Sequence, residues 1–235
     1  MLYRLSRYSA LHSTLRRAAY ACLWRLPDGL KYGLGSALRR PRLPYRLLRP
    51  GDTAVQIGAP WDTLRAGRSR AAHFARLVGR EGRVIVIEPT PENVAALEAF
   101  ARRHRLDGMT VIPRAAWSGP ARLRFLVNPD HPASNLVEEV IDTPLRDRGA
   151  YERIEVDADS LDGLLQGLSV PRIRLLSINT NGSDRQIFDG AARTLRRTEH
   201  VAVVTRRCEA WLERCGFRLL GGDDRGYTYG REGQA

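Results

Sequence analysis

Ten residues in the second half of the chain, LLSINTNGSD at 175–184, place several hydrogen-bonding side chains directly after an apolar run. Asn179 and Asn181 follow that run, and the first carboxylate arrives only at Asp184. Function concentrates where a buried strand gives way to a loop. An amide both donates and accepts hydrogen bonds, so these side chains suit the hydroxyls of a sugar-like ligand or a ligand that is already anionic. The stretch therefore predicts a binding site with no acid at its centre.

A second candidate is Glu88, which follows four aliphatic residues and precedes Pro89. In parallel α/β sheets an acid at this point accepts the hydroxyls of a nucleoside ribose, in NAD and S-adenosylmethionine sites alike. The alternatives are a helix N-cap and a surface acid, since Pro91 begins the next predicted helix. The buried run before Glu88 favours the ribose role.

The turn GAPWD at 58–62 limits which nucleotide that site can take. A dinucleotide fingerprint needs three glycines, so that the turn is tight and the pyrophosphate can approach the backbone. Here Gly58 is alone, and Pro60 and Trp61 follow it. The turn therefore disfavours NAD and is compatible with S-adenosylmethionine, which has no pyrophosphate.

Alternating strands and helices surround these candidates. The predicted strands are 52–60, 83–89, 109–117, 122–128, 153–158, 172–179 and 200–206, with a closing hairpin in 217–230. The predicted helices are 63–79, 91–104, 160–168, 184–196 and 208–215. Several strands are apolar on both faces, which is typical of a parallel sheet covered by helices. Ligands bind at the carboxyl ends of such strands, so we expect the candidates to meet there.

The first 49 residues form a separate segment, and the main domain spans 50–235. Apolar residues in 1–26 form a helical stripe, with most arginines elsewhere around the helix. One interpretation is a basic amphipathic helix that makes peripheral contact with an anionic membrane. The other, which we favour, is a helix that packs on the main domain or on a second subunit. The prolines between 27 and 50 predict a loop-rich connection.

Composition excludes several classes of protein. The chain has 235 residues, a net charge of +12 and 43% hydrophobic residues, as an ordinary globular protein has. The arginines alternate with acids, which favours a solvated surface, and no nucleic-acid partner is expected. Three cysteines without metal-ligand spacing predict a cytoplasmic protein and no metal site. No membrane-spanning or secretory segment is predicted, and the oligomeric state stays open.

Together these segments resemble the FkbM-type methyltransferases, which depend on S-adenosylmethionine and have the class I, Rossmann-like fold. The segments that carry the resemblance are GDTAVQIGAP (51–60), RVIVIEP (83–89), PENVAALEA (91–99), IPRAAWS (112–118), HPASNL (131–136), ADSLDGLL (158–165) and LLSINTNGSD (175–184). The resemblance implies a mostly parallel seven-stranded sheet with a C-terminal antiparallel hairpin and helices on both faces.

The chain departs from the family pattern at acidic positions. The family's GDxVxDIGAN has an aspartate where this chain has Gln56, and its LLKIDVEGAE has lysine, aspartate and glutamate where this chain has Ser177, Asn179 and Asn181. The resemblance implies S-adenosyl-L-methionine as the cofactor. The residues implied to bind it are Gln56, Gly58, Ala59, Glu88, Ala116 and Trp117.

The implied reaction is O-methylation of a hydroxyl on a glycan, a lipid-linked sugar or a secondary metabolite. The residues predicted to bind this acceptor are Asn135, Asn179, Asn181, Arg65 and Arg68, and the two arginines suggest an anionic acceptor. Amides cannot take a proton, so His131 and Asp184 are the candidate general bases. The alternative function is a catalytically inactive binding module that keeps the methyltransferase fold.

Overall fold

The computed structural model describes residues 26–141, 151–223 and 225–231. The helices are α1 (Asp28–Arg39), α2 (Trp61–Arg65), α3 (Arg70–Val78), α4 (Pro91–His104), α5 (Leu161–Leu164), α6 (Asp184–Asp189), α7 (Ala192–Arg196) and α8 (Glu209–Arg214). The strands are β1 (Thr53–Ile57), β2 (Arg83–Ile87), β3 (Met109–Ile112), β4 (Ala115–Trp117), β5 (Ala121–Val127), β6 (Leu136–Val137), β7 (Glu152–Ser160), β8 (Ile173–Ile178), β9 (Thr198–Val203), β10 (Phe217–Asp223) and β11 (Gly226–Arg231). Short 3-10 turns lie at Tyr45–Leu47, Pro132–Ser134 and Glu138–Val140. The predicted helix over 1–26 lies outside the described residues, apart from residue 26.

Seven strands form the main sheet in the order β10-β11-β9-β8-β1-β2-β3. The pairs β3–β2, β2–β1, β1–β8 and β8–β9 are parallel. The pairs β9–β11 and β11–β10, which contain the closing hairpin, are antiparallel. The apolar runs of the sequence belong to β1, β2, β8 and β9, which are buried on both faces. The predicted class I, Rossmann-like fold is confirmed. Strand order reverses between β1 and β8, which is where such sheets bind ligands. Within the described ranges, none of the helices combines the length and the apolar character needed to cross a bilayer.

The strand predicted over 109–117 is wrong as one element, because the chain leaves the main sheet at Pro113. Proline has no backbone N–H and cannot continue the ladder. β3 pairs with β2 in the main sheet, whereas β4 belongs to a second sheet ordered β4-β7-β5-β6. β4 therefore pairs with β7 and not with a strand of the main sheet.

Two predicted helices are each interrupted once. The helix expected at 63–79 divides into α2 and α3, with Gly67 at φ +69° between them. The helix expected at 184–196 divides into α6 and α7 around Gly190, where a Cβ would lie 2.2 Å from the backbone oxygen of Trp117. Each glycine allows a sharp turn or a close approach that helical periodicity does not reveal.

Helix α1 replaces most of the loop-rich connection that the prolines predicted. Its inner face packs on the main domain through polar contacts. The Tyr32 hydroxyl donates to the backbone oxygen of Leu64 at 2.6 Å, and the Ser36 hydroxyl lies 2.9 Å from Nδ1 of His73. Hydrogen-bonding side chains in this stretch therefore serve packing, which their polarity did not suggest.

His73 makes the packing of α1 sensitive to acid. Burial, with a smaller contribution from the charge of Arg39, lowers its pKa from 6.5 to about 3. The unfolded chain therefore binds a proton at His73 below about pH 6.5, and the folded chain does not. Stability should fall as pH drops from 6.5 toward 3, by up to about 1.4 kcal/mol per pH unit. Urea unfolding at pH 7, 5.5 and 4.5 measures this slope; His73→Gln should flatten it, and exposed His131→Gln should not. Equal slopes in all three proteins would contradict the prediction.

Candidate functional site

A cavity lies at the carboxyl ends of β1, β2, β4 and β8. The open space between its walls is about 600 Å³, which includes solvent at the mouth. The centre of a water molecule can reach only about 60 Å³ of it, so the interior is narrow. The apolar walls come from Ile57, Ile87, Ala115, Ala116, Phe125, Leu136 and Val137. A nucleoside-sized ligand would need the overlying loop to move before it could enter.

Gly58 forms the floor of the cavity where β1 meets β8. Its φ is +76°, and a Cβ there would lie 2.2 Å from the backbone oxygen of Asn179. Its N–H donates to the oxygen of Ile87, and the Asn179 N–H donates to the oxygen of Ile57. Three strand ends are therefore joined through one turn, and only glycine fits its centre.

Glu88 lines the cavity and is 4% exposed. Its Oε2 accepts a hydrogen bond from the Ala59 N–H at 2.8 Å. Its Oε1 accepts from the Thr90 N–H at 3.1 Å and from the Asn93 amide at 3.0 Å. A carboxylate has about four acceptor positions, so one on Oε2 is left for a ligand hydroxyl. The carboxylate thus links two strand ends and still faces the cavity.

Gln56 lies beneath this floor and does not line the cavity. Its Nε2 donates to the backbone oxygens of Ile57 and Gly58, at 2.9 and 2.8 Å. It is register partner to Ser177, whose hydroxyl accepts from the buried Arg70 guanidinium at 3.2 Å. Gln56 therefore supports the turn from below, and direct contact with a cofactor stays a prediction.

The two residues predicted to flank a base separate from each other. Ala116 lines the cavity together with Ala115. Trp117 does not line it; this residue pairs with Ser160 and packs against the apolar cluster of the second sheet. The division at Pro113 explains the difference, because β4 presents its first two residues to the cavity and its third to the second sheet.

Asn181 holds a loop over the cavity. Its Nδ2 donates to the backbone oxygens of Ala133 and Asn135, at 3.0 and 2.8 Å. The loop is fixed at its other side, since Asn135 Oδ1 accepts from the Asn128 N–H at 2.8 Å. Asn135 Nδ2 is buried in the wall and has no partner among the described residues. An amide suits position 181 because the loop presents two carbonyl oxygens, which a carboxylate would repel.

Asn181→Asp should release this loop. Aspartate keeps the shape but replaces the donor with a negative charge facing two carbonyl oxygens. Two partly exposed hydrogen bonds are worth about 1 kcal/mol each, so the open form should gain about tenfold or more. Hydrogen–deuterium exchange of backbone amides 131–136 measures opening directly. Asn179→Asp is the matched control, because Asn179 also lines the cavity and is exposed. Equal exchange rates in the two variants would contradict the role of Asn181 in holding the loop.

The two candidate general bases lie outside the cavity lining. His131 is exposed and precedes Pro132, which does line it. Asp184 is 5% exposed, and burial raises the pKa of its carboxyl. The charge of Arg207, which does not line the cavity, lowers that pKa to a smaller extent. The structure therefore does not bring the two together, and proton transfer by either stays a prediction.

Arg65 and Arg68 also lie beyond the lining residues. The backbone oxygen of Arg65 accepts from Lys31 Nζ, and that of Arg68 accepts from Arg225. The charge of Arg68 acts on Asp62, whose pKa is raised chiefly by burial. The backbone at Arg65 and Arg68 thus contacts α1 and the turn of the closing hairpin, and acceptor binding by these two arginines stays a prediction.

Sequence reasoning missed several polar residues of the cavity. Asn93, 1% exposed, lines it and accepts from the Trp61 N–H through Oδ1 while donating to Glu88. Thr180 and Ser183 line it beside the two asparagines. Asn93 lies on the first turn of α4, five residues after Glu88, which is the one signal that pointed to it.

Comparison with known proteins gives a family match over most of the chain. The family model described as "Methyltransferase FkbM domain" matches residues 56–219. No curated protein matches the chain significantly.

Solved structures with a similar fold include three methyltransferase-related proteins. A methyltransferase FkbM from Methylobacillus flagellatus KT is 16% identical, with a TM-score of 0.49, over 91% of this chain and 58% of that one. Aeropyrum pernix fibrillarin with natively bound S-adenosyl-L-methionine is 14% identical, with a TM-score of 0.45, over 85% and 74%. A putative rRNA-methylase from Clostridium thermocellum is 13% identical, with a TM-score of 0.41, over 87% and 94%. The chain spans less than two thirds of the first of these proteins.

Proposed function

The chain belongs to the FkbM methyltransferase family, and from this membership we propose that it methylates a hydroxyl oxygen of a glycan, a lipid-linked sugar or a secondary metabolite. Its cofactor is S-adenosyl-L-methionine, which supplies an electrophilic methyl group. The cavity at the strand ends is the proposed site of both ligands.

The observation that carries this proposal is the environment of Glu88. The carboxylate is buried, is fixed by three protein donors, and keeps one acceptor position toward the cavity. Gly58 lines the cavity beside it, and Ala115 and Ala116 form part of an apolar wall. An anchored acceptor next to an apolar slot suits a ribose and its base. The residues present therefore fit the nucleoside half of the cofactor.

The methionine part of the cofactor would contact amide and hydroxyl side chains in the cavity. Asn179, Thr180 and Ser183 line that side, and the Thr180 hydroxyl is buried without a partner among the described residues. Neutral donors and acceptors can pair with an amino-acid zwitterion, although each contact is weaker than one with a charged partner. We therefore expect cofactor affinity to depend mainly on the nucleoside.

Acceptor chemistry depends on positioning more than on a strong base. Among the described residues that line the cavity, Glu88 alone has an ionisable side chain. Holding an acceptor oxygen in line with the methyl group supplies much of the rate in such transfers. A hydroxyl that loses its proton to solvent or to a loop residue such as His131 fits this site.

The same lack of ionisable groups favours one alternative, a binding module that holds the cofactor without turnover. Both functions require binding, and only the first requires transfer. The alternative predicts that labelled methyl groups stay on the cofactor with every acceptor offered.

Calorimetric titration with S-adenosylhomocysteine tests the binding step, with NAD as the matched control ligand. We expect S-adenosylhomocysteine to bind and NAD not to bind, because the turn at Gly58 lacks the dinucleotide glycines. Methyl transfer from labelled S-adenosylmethionine to methyl glycosides and polyprenyl-linked sugars then separates the enzyme from the binding module. Absence of S-adenosylhomocysteine binding to folded protein would overturn both.

A further inference from the structure

Helix α1 leaves most of its large apolar side chains outside. Its inner face carries one aromatic ring, Tyr32, which packs in the core, and three polar or small residues, Lys31, Gly35 and Ser36. Lys31 is 8% exposed and pairs with Asp28 at 2.9 Å. A surface helix of a globular protein normally turns its apolar side inward. Here the polar side chains of the inner face form hydrogen bonds with the main domain. The leucines of the helix face outward.

Three leucines make up that outer side, and we call Leu30, Leu34 and Leu38 the leucine ridge. They are 62%, 66% and 58% exposed. The residues between them on the same face are Gly29, Gly33 and Ala37, and none of the six carries a charge. A row of large apolar side chains, spaced one turn apart on one helix, is a feature of interaction surfaces.

Positive charge is concentrated in the part of the sequence that contains the leucine ridge. Residues 1–51 contain eleven arginines or lysines and a single acid, Asp28, a net charge of +10. The other 184 residues carry only +2. Within the described part of this stretch, Arg40, Arg42 and Arg46 are exposed and follow directly after the ridge. Most of the net charge of the sequence therefore lies in its first 51 residues and not in the rest of the chain.

We propose that the leucine ridge and Arg40, Arg42 and Arg46 form a docking surface for an anionic lipid bilayer. Leucines immersed at the level of the headgroups and arginines paired with lipid phosphates are how interfacial helices bind. A dimer formed through this surface would bring two segments, each with a net charge of +10, against each other, and their repulsion disfavours a second copy as the partner. Residues 1–25 carry five arginines and no acid, a composition that adds to the attraction between this end of the chain and an anionic bilayer.

This docking surface is independent of the methyl-transfer proposal. It connects to the cavity through α2, which begins at Trp61 directly after the cavity residue Pro60. The Tyr32 hydroxyl of α1 donates to Leu64 of α2. An acceptor embedded in or attached to a bilayer would thus be met by a protein already at the surface.

Vesicle flotation of the full chain tests the proposal. We expect the protein to float with phosphatidylcholine vesicles that contain about 30 mol% phosphatidylglycerol, and not with phosphatidylcholine alone. High salt should weaken binding, because exposed charges are screened. Substituting the ridge, Leu30→Ser, Leu34→Ser and Leu38→Ser, should lower binding about tenfold or more. Substituting Arg40→Gln, Arg42→Gln and Arg46→Gln should do the same.

Matched variants remove the same groups elsewhere. Leu219→Ser changes another exposed leucine, and Arg102→Gln, Arg122→Gln and Arg185→Gln remove a charge equal to that of the three arginines. Both control sets should float as the unchanged protein does. The emission of an environment-sensitive fluorophore attached to Leu34→Cys should shift to the blue with anionic vesicles. No flotation, equal losses in controls and ridge variants, or flotation without the fluorescence shift would overturn the proposal. Light scattering that finds a dimer dispersed by the ridge substitutions would instead assign the ridge to a second copy.

Discussion

Gly58→Ala should destabilise the protein by about 3 kcal/mol and abolish binding of S-adenosylhomocysteine. Two costs combine at this position. The backbone has φ +76°, which an alanine adopts only with strain, and the new Cβ would lie 2.2 Å from the backbone oxygen of Asn179. Backbone atoms joined to three strand ends cannot move aside independently. Relief of the clash must therefore separate β1 from β8 where the cavity floor lies.

Gly79→Ala is the matched control for that variant. Gly79 has φ +70°, and nothing lies within 4 Å of its ideal Cβ. It bears a conformational cost without the clash, so we expect a loss of about 1–3 kcal/mol and unchanged ligand binding. Urea unfolding and calorimetry on both variants give the comparison. If the two glycines behave alike, the close approach at Gly58 does not matter and our account of the floor is wrong.

Sequence reasoning succeeded where the determinants are local. The central strands are runs of aliphatic residues because β1, β2, β8 and β9 are covered on both faces, and that pattern is visible in any short window. Gly58 and Glu88 stand directly at the ends of such runs. Their positions in the cavity therefore followed once the strands were recognised as parallel.

Contacts between distant segments were beyond that reasoning. The amide of Asn181 reaches carbonyl oxygens 46 and 48 residues away, so nothing local revealed that it would hold a loop. The polar residues of α1 likewise contact α2 and α3, more than thirty residues further along the chain. Hydrogen-bonding side chains predict that a partner exists, but not which segment supplies it.

The departures from the family pattern at Gln56 and Ser177 are best explained together. The family resemblance places an aspartate and a lysine at these positions, and the two residues are register partners on adjacent strands. Removing one charge alone would leave the other buried without its partner, at considerable cost. This chain has neutral residues at both positions. Arg70 instead enters from α3, and its charge lies 3.8 Å from Asp223. The position beneath the cavity therefore has neutral residues on both strands and a different, paired charge from α3.

Glu88→Gln should weaken S-adenosylhomocysteine binding by about a hundredfold, because hydrogen bonds to charged groups are worth about 1.5–3 kcal/mol. An amide keeps the volume of the side chain, but its NH2 group must face one of the three donors that the carboxylate now accepts from. Unfolding free energy should also fall, by about 1–3 kcal/mol. Glu92→Gln, exposed on the first turn of α4, should change neither quantity.

A variant of the neighbouring amide separates ligand binding by Glu88 from its structural role. Asn93→Ala removes one donor to Oε1 and leaves the carboxylate, so it should lower stability about as much as Glu88→Gln does. Ligand affinity should fall about tenfold at most, because the acceptor position on Oε2 remains. Calorimetry and urea unfolding on the two variants decide between the roles. Equal losses of affinity would mean that Glu88 only holds the turn, and the ribose would then need another partner in the cavity.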